Sequence, residues 1–271
     1  IMKALSIVLL FVVTLNVAEV YSQNTVSTNK VFYSGETLVY KVKWTFIRIG
    51  TVTIKTESCK NNPDYIKVSM LVESNPSIPF LNIKEYNETI IDRQTLMSNS
   101  FYAFFENGGD GIKYYTNYNE ESKTVVRKVY DVAMKRFTDS TTIYNCPRYV
   151  DGPSLFFFTR VNSNLHKTIN VPTIIEDKIH STKLIFTNTK EEIEIDALDY
   201  PIIAKQYFGC ANWEGGSSQS LSGDFMGWIS DDDAAIPVYA EVKVLLGNLK
   251  MELESWERGN WNKQLSTAGT K

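Results

Sequence analysis

Three adjacent carboxylates, Asp231, Asp232 and Asp233, form the densest cluster of metal-ligating side chains in the sequence. Hard oxygens of this kind suit Ca²⁺, but consecutive residues diverge and no acidic partner follows at the offset an EF-hand loop needs. A solvated turn with an Asx-type hydrogen bond is the competing reading, and it predicts Asp→Asn changes of little consequence and no response to Ca²⁺. Arg160 ends an apolar segment, where a cation complements a helix C-terminus; the functional alternative is a charge at the mouth of a barrel, gripping an anionic head group. The two histidines, His166 and His180, lie apart, with no HExxH or cysteine–histidine pattern around them. No GxSxG elbow, Walker loop or dinucleotide fingerprint occurs. Cys59, Cys146 and Cys210 allow at most one intramolecular disulfide and form no CxxC pair. No cofactor, metal or catalytic group is expected from these patterns.

The residues that position such groups read as β structure. The chain holds 15 Tyr, 14 Phe and 5 Trp in 271 residues, types that suit half-buried pleated surfaces. Leu38, Tyr40, Val42 and Trp44 alternate onto one face of a strand, and Phe46 to Ile54 continues as a second with Gly50 as a bulge or close-approach point. Further strands are expected over 65–73, 82–92, 94–106, 112–118, 123–131, 168–175, 181–187, 192–196 and 202–208. The turn from Asn107 to Gly111 joins two of them as a hairpin. Phe225 to Ile229, including Trp228, forms a short aromatic strand ahead of the acidic turn. A long alternating strand follows from Val238, and its parity flips at Gly247 and Asn248. A two-residue hairpin that sets Leu246 opposite Leu249 explains the flip; a bulge is the rival.

One helix interrupts the strands. Asp151 and Ser154 are N-cap candidates, Pro153 lies in the first turn, and Leu155 to Phe158 is too continuously apolar for a surface helix, so most of it should be buried. About a dozen strands and one central helix, without helix–strand alternation, predict an all-β fold: an antiparallel meander curled into a half-barrel around that helix. Residues 23–257 form one domain, and 258–271 a polar tail that frays.

Met2 and Lys3, an apolar run over 4–17 and Ser22 fit an export signal cleaved after residue 22. The expected location is periplasmic or secreted. The apolar run falls short of the roughly 20 residues a span needs, and no later segment is a membrane span. A net charge of −3 argues against nucleic acid as a partner.

Three stretches together resemble an exported bacterial family known only as domain of unknown function 3108. The first runs from Phe32 through Gly35 and Glu36 to Leu38, Tyr40, Trp44 and Gly50. The second is Asp151, then Ser154 to Phe158 and Arg160. The third begins at Gly227, Trp228, Asp231 and Asp232 and continues through Pro237 to Glu241 and Gly247. The resemblance implies an antiparallel half-barrel around a helix, similar to capsule-assembly lipoproteins of the bacterial envelope, with no known activity. Trp44, Asp151, Arg160, Trp228, Asp231 and Asp232 are its family-motif positions and the candidate ligand contacts. Two functions follow as expectations. One is a non-catalytic envelope protein that holds a lipid, an envelope polymer or another envelope protein on a concave aromatic face. The other is a carbohydrate-active or other hydrolase whose carboxylates converge only in the fold.

Overall fold

Alternation at period two dominates the chain, and the computed structural model turns nearly all of it into one antiparallel sheet. The structure describes residues 27–259 and 261, apart from 61, 80, 108–109, 176, 212–222 and 244–247; the expected export signal lies outside the described residues. After the short α1 (Thr28–Val31) come β1 (Thr37–Trp44), β2 (Ile47–Ser58), β3 (Tyr65–Ser74), β4 (Lys84–Asp92), β5 (Ser98–Asn107), β6 (Asp110–Asn119), β7 (Thr124–Asp131) and β8 (Arg136–Ile143). Helix α2 (Gly152–Asn162) follows. The chain then returns through β9 (Lys167–Ile175), β10 (Lys178–Ile193), β11 (Ile202–Ala211), β12 (Gly223–Ser230), β13 (Pro237–Lys243) and β14 (Asn248–Glu257).

The spatial order is β8-β7-β6-β5-β4-β3-β2-β1-β14-β13-β12-β11-β10-β9. The chain therefore walks outward from the centre to one edge, crosses the concave face as α2, and walks back from the other edge until β14 pairs with β1. The sheet does not close: β8 and β9 are its two edges, making an open half-barrel around α2.

The helix is held at both ends. Asp151 is the N-cap and forms a capping box with Ser154, and Thr89 Oγ1 of β4 donates to Asp151 Oδ2 at 2.6 Å. Ser98 of β5 meets Ser154, hydroxyl to hydroxyl, at 2.7 Å. Phe157 and Phe158 are buried, whereas Leu155 and Phe156 are half-buried, so the apolar block is less enclosed than its composition predicts. Phe157 stacks on Phe32 with ring centroids 4.9 Å apart, and Phe156 meets Tyr40 edge-on at 6.1 Å.

Gly50 is the close-approach point of the two alternatives expected for it, and the bulge falls on its neighbour. Ile49 bulges between the pairs Val42↔Gly50 and Lys43↔Arg48, and a Cβ on Gly50 would lie 2.6 Å from the Glu73 carbonyl oxygen.

Several expectations need correction. β8 was not foreseen, because Arg136–Ile143 is a polar edge strand with almost every residue exposed and so lacks an alternating signal. The two strands expected over 181–187 and 192–196 are one, β10, with a register shift between Phe186 and Lys190. β13 and β14 are two antiparallel strands, not one long strand with a bulge, and pair Val242 with Leu249 and Lys243 with Asn248; the turn expected to set Leu246 opposite Leu249 falls on residues 244–247, outside the described residues. The expected tail starts with packed side chains: Trp261 is buried and meets Trp256 edge-on at 4.9 Å. Its later part, 262–271, lies outside the described residues.

Candidate functional site

Two places on the concave side of the sheet concentrate polar or half-covered groups, one saturated and one open. The saturated place is at the C-terminal end of α2. Arg160 has no exposed surface, and its Nη1 and Nη2 grip the two Glu36 oxygens at 2.6 and 3.0 Å. Its remaining donors reach the carbonyls of Ala235 at 3.0 Å, Ala234 at 3.0 Å and Val31 at 3.4 Å. The guanidinium also lies 4.7 Å from the Phe157 ring centroid. Gly35 makes the turn that presents Glu36: its φ of +87° belongs to the left-handed region that glycine enters without steric cost.

Arg258 completes the cluster, donating to Glu36, to the Val31 carbonyl at 3.2 Å and to the Lys30 carbonyl. Burial, with the neighbouring Arg160 charge, lowers the Arg258 pKa, against the opposing pull of Glu36 and Asp232. Arg160 is therefore neither a clamp on its own helix terminus nor a charge at an open mouth. It ties α1, the start of β1, α2 and the 231–235 turn into one unit.

The acidic turn belongs to the same unit. Asp232 accepts from the backbone N–H groups of Ala234 at 2.8 Å and Ala235 at 3.0 Å, from Ser230 Oγ at 3.1 Å and from Trp261 Nε1 at 2.9 Å. These bonds hold Ala235 at φ +46°, an uncommon conformation for a residue with a Cβ, and so aim its carbonyl at Arg160. Asp231 pairs with Lys190 and Lys205; burial pushes its pKa up, but the two ammonium groups outweigh that and leave it lowered. Asp233 pairs with Lys30. All three carboxylates are thus engaged by protein donors. Among the described residues no group of three His, Cys, Asp or Glu side chains converges as a metal site.

The other candidates lie apart from this cluster. Asp151 caps the opposite end of α2, and burial raises its pKa despite hydrogen bonds from Thr89, Ser154 and Ser98. Trp228 is on the outer face, where Nε1 donates to Glu191 at 2.7 Å and the ring meets Tyr239 at 5.5 Å. Trp44 ends β1, 38% exposed. His166 Nδ1 lies 2.7 Å from the Thr187 carbonyl oxygen at the surface, and none of Cys59, Cys146 and Cys210 is in a disulfide. Sequence reasoning singled out Arg160 but not its partners. Glu36 was visible only inside a motif, and Arg258 and Trp261 sit in a stretch of tail-like composition.

The open place is the continuation of the core face across β3 to β7. Residues paired directly across an antiparallel sheet share a face. By register, Met70, Asn87, Ala103, Tyr114 and Val129 form one row. Val72, Glu85, Phe105 and Ile112 form the next. Asn87 and Ala103 are buried, whereas Met70, Val72, Phe105, Ile112 and Tyr114 are only half-buried. Phe105 and Tyr114 meet edge-on at 5.6 Å, and the Arg127 guanidinium sits 4.6 Å from the Tyr114 ring centroid. Glu85 accepts from Asn87 Nδ2 at 2.8 Å, and burial raises its pKa. Neither row was marked as a site by sequence, because half-burial on a core face has no signature of its own.

A family model described as a protein of unknown function, DUF3108, matches residues 39–254. No curated protein matches the sequence. Among solved structures, a β-barrel-like protein of domain of unknown function DUF1849 from Brucella abortus aligns with a TM-score of 0.55 at 7% identity, covering 84% of this chain and 98% of that one. A protein titled as exported, with a YmcC-like fold, from Bacteroides fragilis aligns with a TM-score of 0.33 at 10% identity, covering 83% and 97%. A protein titled as a lipoprotein from Parabacteroides distasonis aligns at 0.32 and 9% identity, covering 87% and 100%. No helix among the described residues is long and apolar enough to cross a membrane.

Proposed function

The chain belongs to the DUF3108 family of proteins of unknown function, and from that premise we propose that it is an exported, non-catalytic envelope protein holding an apolar or amphipathic ligand on its concave face. The observation that carries this reading is the half-buried strip of Phe105, Ile112 and Tyr114, which runs on from Met70 and Val72 at the margin of the core. It continues the face that elsewhere packs on α2, yet no element of the described chain fills it as α2 fills the centre. Apolar concave surfaces with a few polar groups at their margin are what small-molecule sites are built from. Export rests on the leader, Met2 to Ser22.

A hydrolase of the two-carboxylate kind needs a facing pair of acids. Among the described residues, Glu85 and Asp131 both lie in the second row of this face, but three strands apart, roughly 14 Å across the sheet, too far for the roughly 5–9.5 Å such a pair needs, and Asp131 accepts from the Met134 amide. The acids that looked promising in sequence, Asp231 to Asp233, are spent on lysines, a tryptophan indole and turn amides.

Native mass spectrometry on protein purified from its own envelope tests the reading. A co-purifying amphiphile is expected, lost in a Phe105→Glu variant that still folds. Protein that carries no such adduct and takes up no amphiphile from detergent-free lipid suspension overturns it.

A further inference from the structure

Asn87 is 6% exposed, and its amide is only half used. Nδ2 donates to Glu85, while Oδ1 is buried and accepts no hydrogen bond. Leaving a buried acceptor without a donor is costly, and each native case calls for an explanation. On its own face Asn87 is flanked by Met70 and Ala103, neither of which has a side-chain donor. The next row toward the strand ends is the open one, with Val72, Glu85 and Phe105. The unused acceptor thus stands where the apolar strip meets the core.

We propose, resting on the groove reading above, that Asn87 is the polar stop of this strip and takes the hydroxyl or amide N–H of a neutral-headed alkyl ligand. The head is neutral because Glu85 lies beside the acceptor. An anionic head would sit against the Glu85 carboxyl that already holds the Asn87 amide, with no cation among the described residues close enough to compensate it. The cation on this face, Arg127, is on β7, three strands away and roughly 14 Å across the sheet. The Glu85–Asn87 contact fixes the amide so that Oδ1, not Nδ2, is the free end. The site is therefore selective for donors over acceptors, and an ether oxygen has nothing to offer it.

Two isosteric probes separate the alternatives: 1-decanol, which donates, and 1-methoxynonane, which does not. Calorimetric titration of the mature chain is expected to show decanol binding about tenfold tighter, the scale of one buried hydrogen bond. Asn87→Leu is expected to bring decanol down to the ether's affinity while leaving the ether unchanged; Asn87→Asp, which keeps an acceptor, retains the preference. Equal binding of the two probes by the native chain, or a preference that survives in Asn87→Leu, overturns the assignment and leaves the groove standing. If neither probe binds, the groove reading falls, and the Asn87 assignment with it.

Discussion

The two halves of the concave face are built from the same kind of strand but end differently. From β1 to β4 the core face is roofed by α2, and its one buried ion cluster is satisfied on every side: Arg160 spends its donors on Glu36 and three carbonyls. From β5 to β7 the face runs on with Phe105, Ile112 and Tyr114, yet these remain half-buried, and the charge there, Arg127, lies over a ring rather than against a carboxylate. Alternation makes a face apolar; only a second element facing it turns that face into core.

Substitutions that cross this divide should differ most. Phe157→Ala, under the roof, is expected to cost about 3–5 kcal/mol, because the strands around α2 cannot collapse into the space left behind. Phe105→Ala, on the open half, should cost about 1 kcal/mol. Urea titration of both variants measures the gap, and equal costs would erase the distinction between the halves. Arg160→Met comes next, at about 3 kcal/mol in the same assay: removing one partner of a buried pair leaves charge uncompensated, although Arg258 still neutralises Glu36.

Asp232→Ala should cost about 1–3 kcal/mol, since it strands two turn amides and the Trp261 indole. A solvated acidic turn, the reading open to sequence alone, would give almost nothing. Thermal midpoints with and without Ca²⁺ should coincide for the native chain, because no carboxylate of the turn is left for an ion.

A smaller effect depends on pH. Burial raises the Asp151 pKa above its ordinary value of 3.8, so the folded state holds this proton more tightly than the unfolded chain. That contribution to stability is present below the ordinary value and is lost as pH rises through the raised one. Relative to Asp151→Asn, the native chain should weaken across that window and then level off. Urea midpoints on either side show it; parallel profiles for the two proteins would refute it. Smallest of all, Arg48→Met removes a bidentate pair with Glu254 on the surface, at 2.6 and 2.8 Å, and should shift stability by about 0.5 kcal/mol or less.

The fold was legible where side chains alternate between water and interior. Tyr65 to Glu73 announces its strand because buried Ile66 and Val68 alternate with more open neighbours, and Phe225 to Ile229 announces its own by aromatic composition. The capping candidates Asp151 and Ser154 announced the helix through local hydrogen bonding, which needs only four residues of sequence. β8 was illegible because an edge strand exposed along its length has no dry face to mark it. The site was read only in part. Arg160 stood out as a charge in an apolar setting, but Glu36 lies 124 positions before it and Arg258 nearly a hundred after it, and nothing local encodes such a meeting. Asn87 was invisible for a different reason: an unused acceptor is a property of its neighbours, not of the asparagine.

The pairing of β1 with β14 sets the order in which the molecule can be completed. Thr37 meets Glu257 and Trp44 meets Leu249, so the first strand synthesised must wait for the last. Every other ladder joins strands adjacent in sequence, and each can zip as a local hairpin. The central seam alone carries the entropy of closing the whole chain. Until β14 arrives, β1 and β13 each present a bare edge. A chain cut short before Asn248 would hold four open edges in two separate sheets where the finished protein holds two in one.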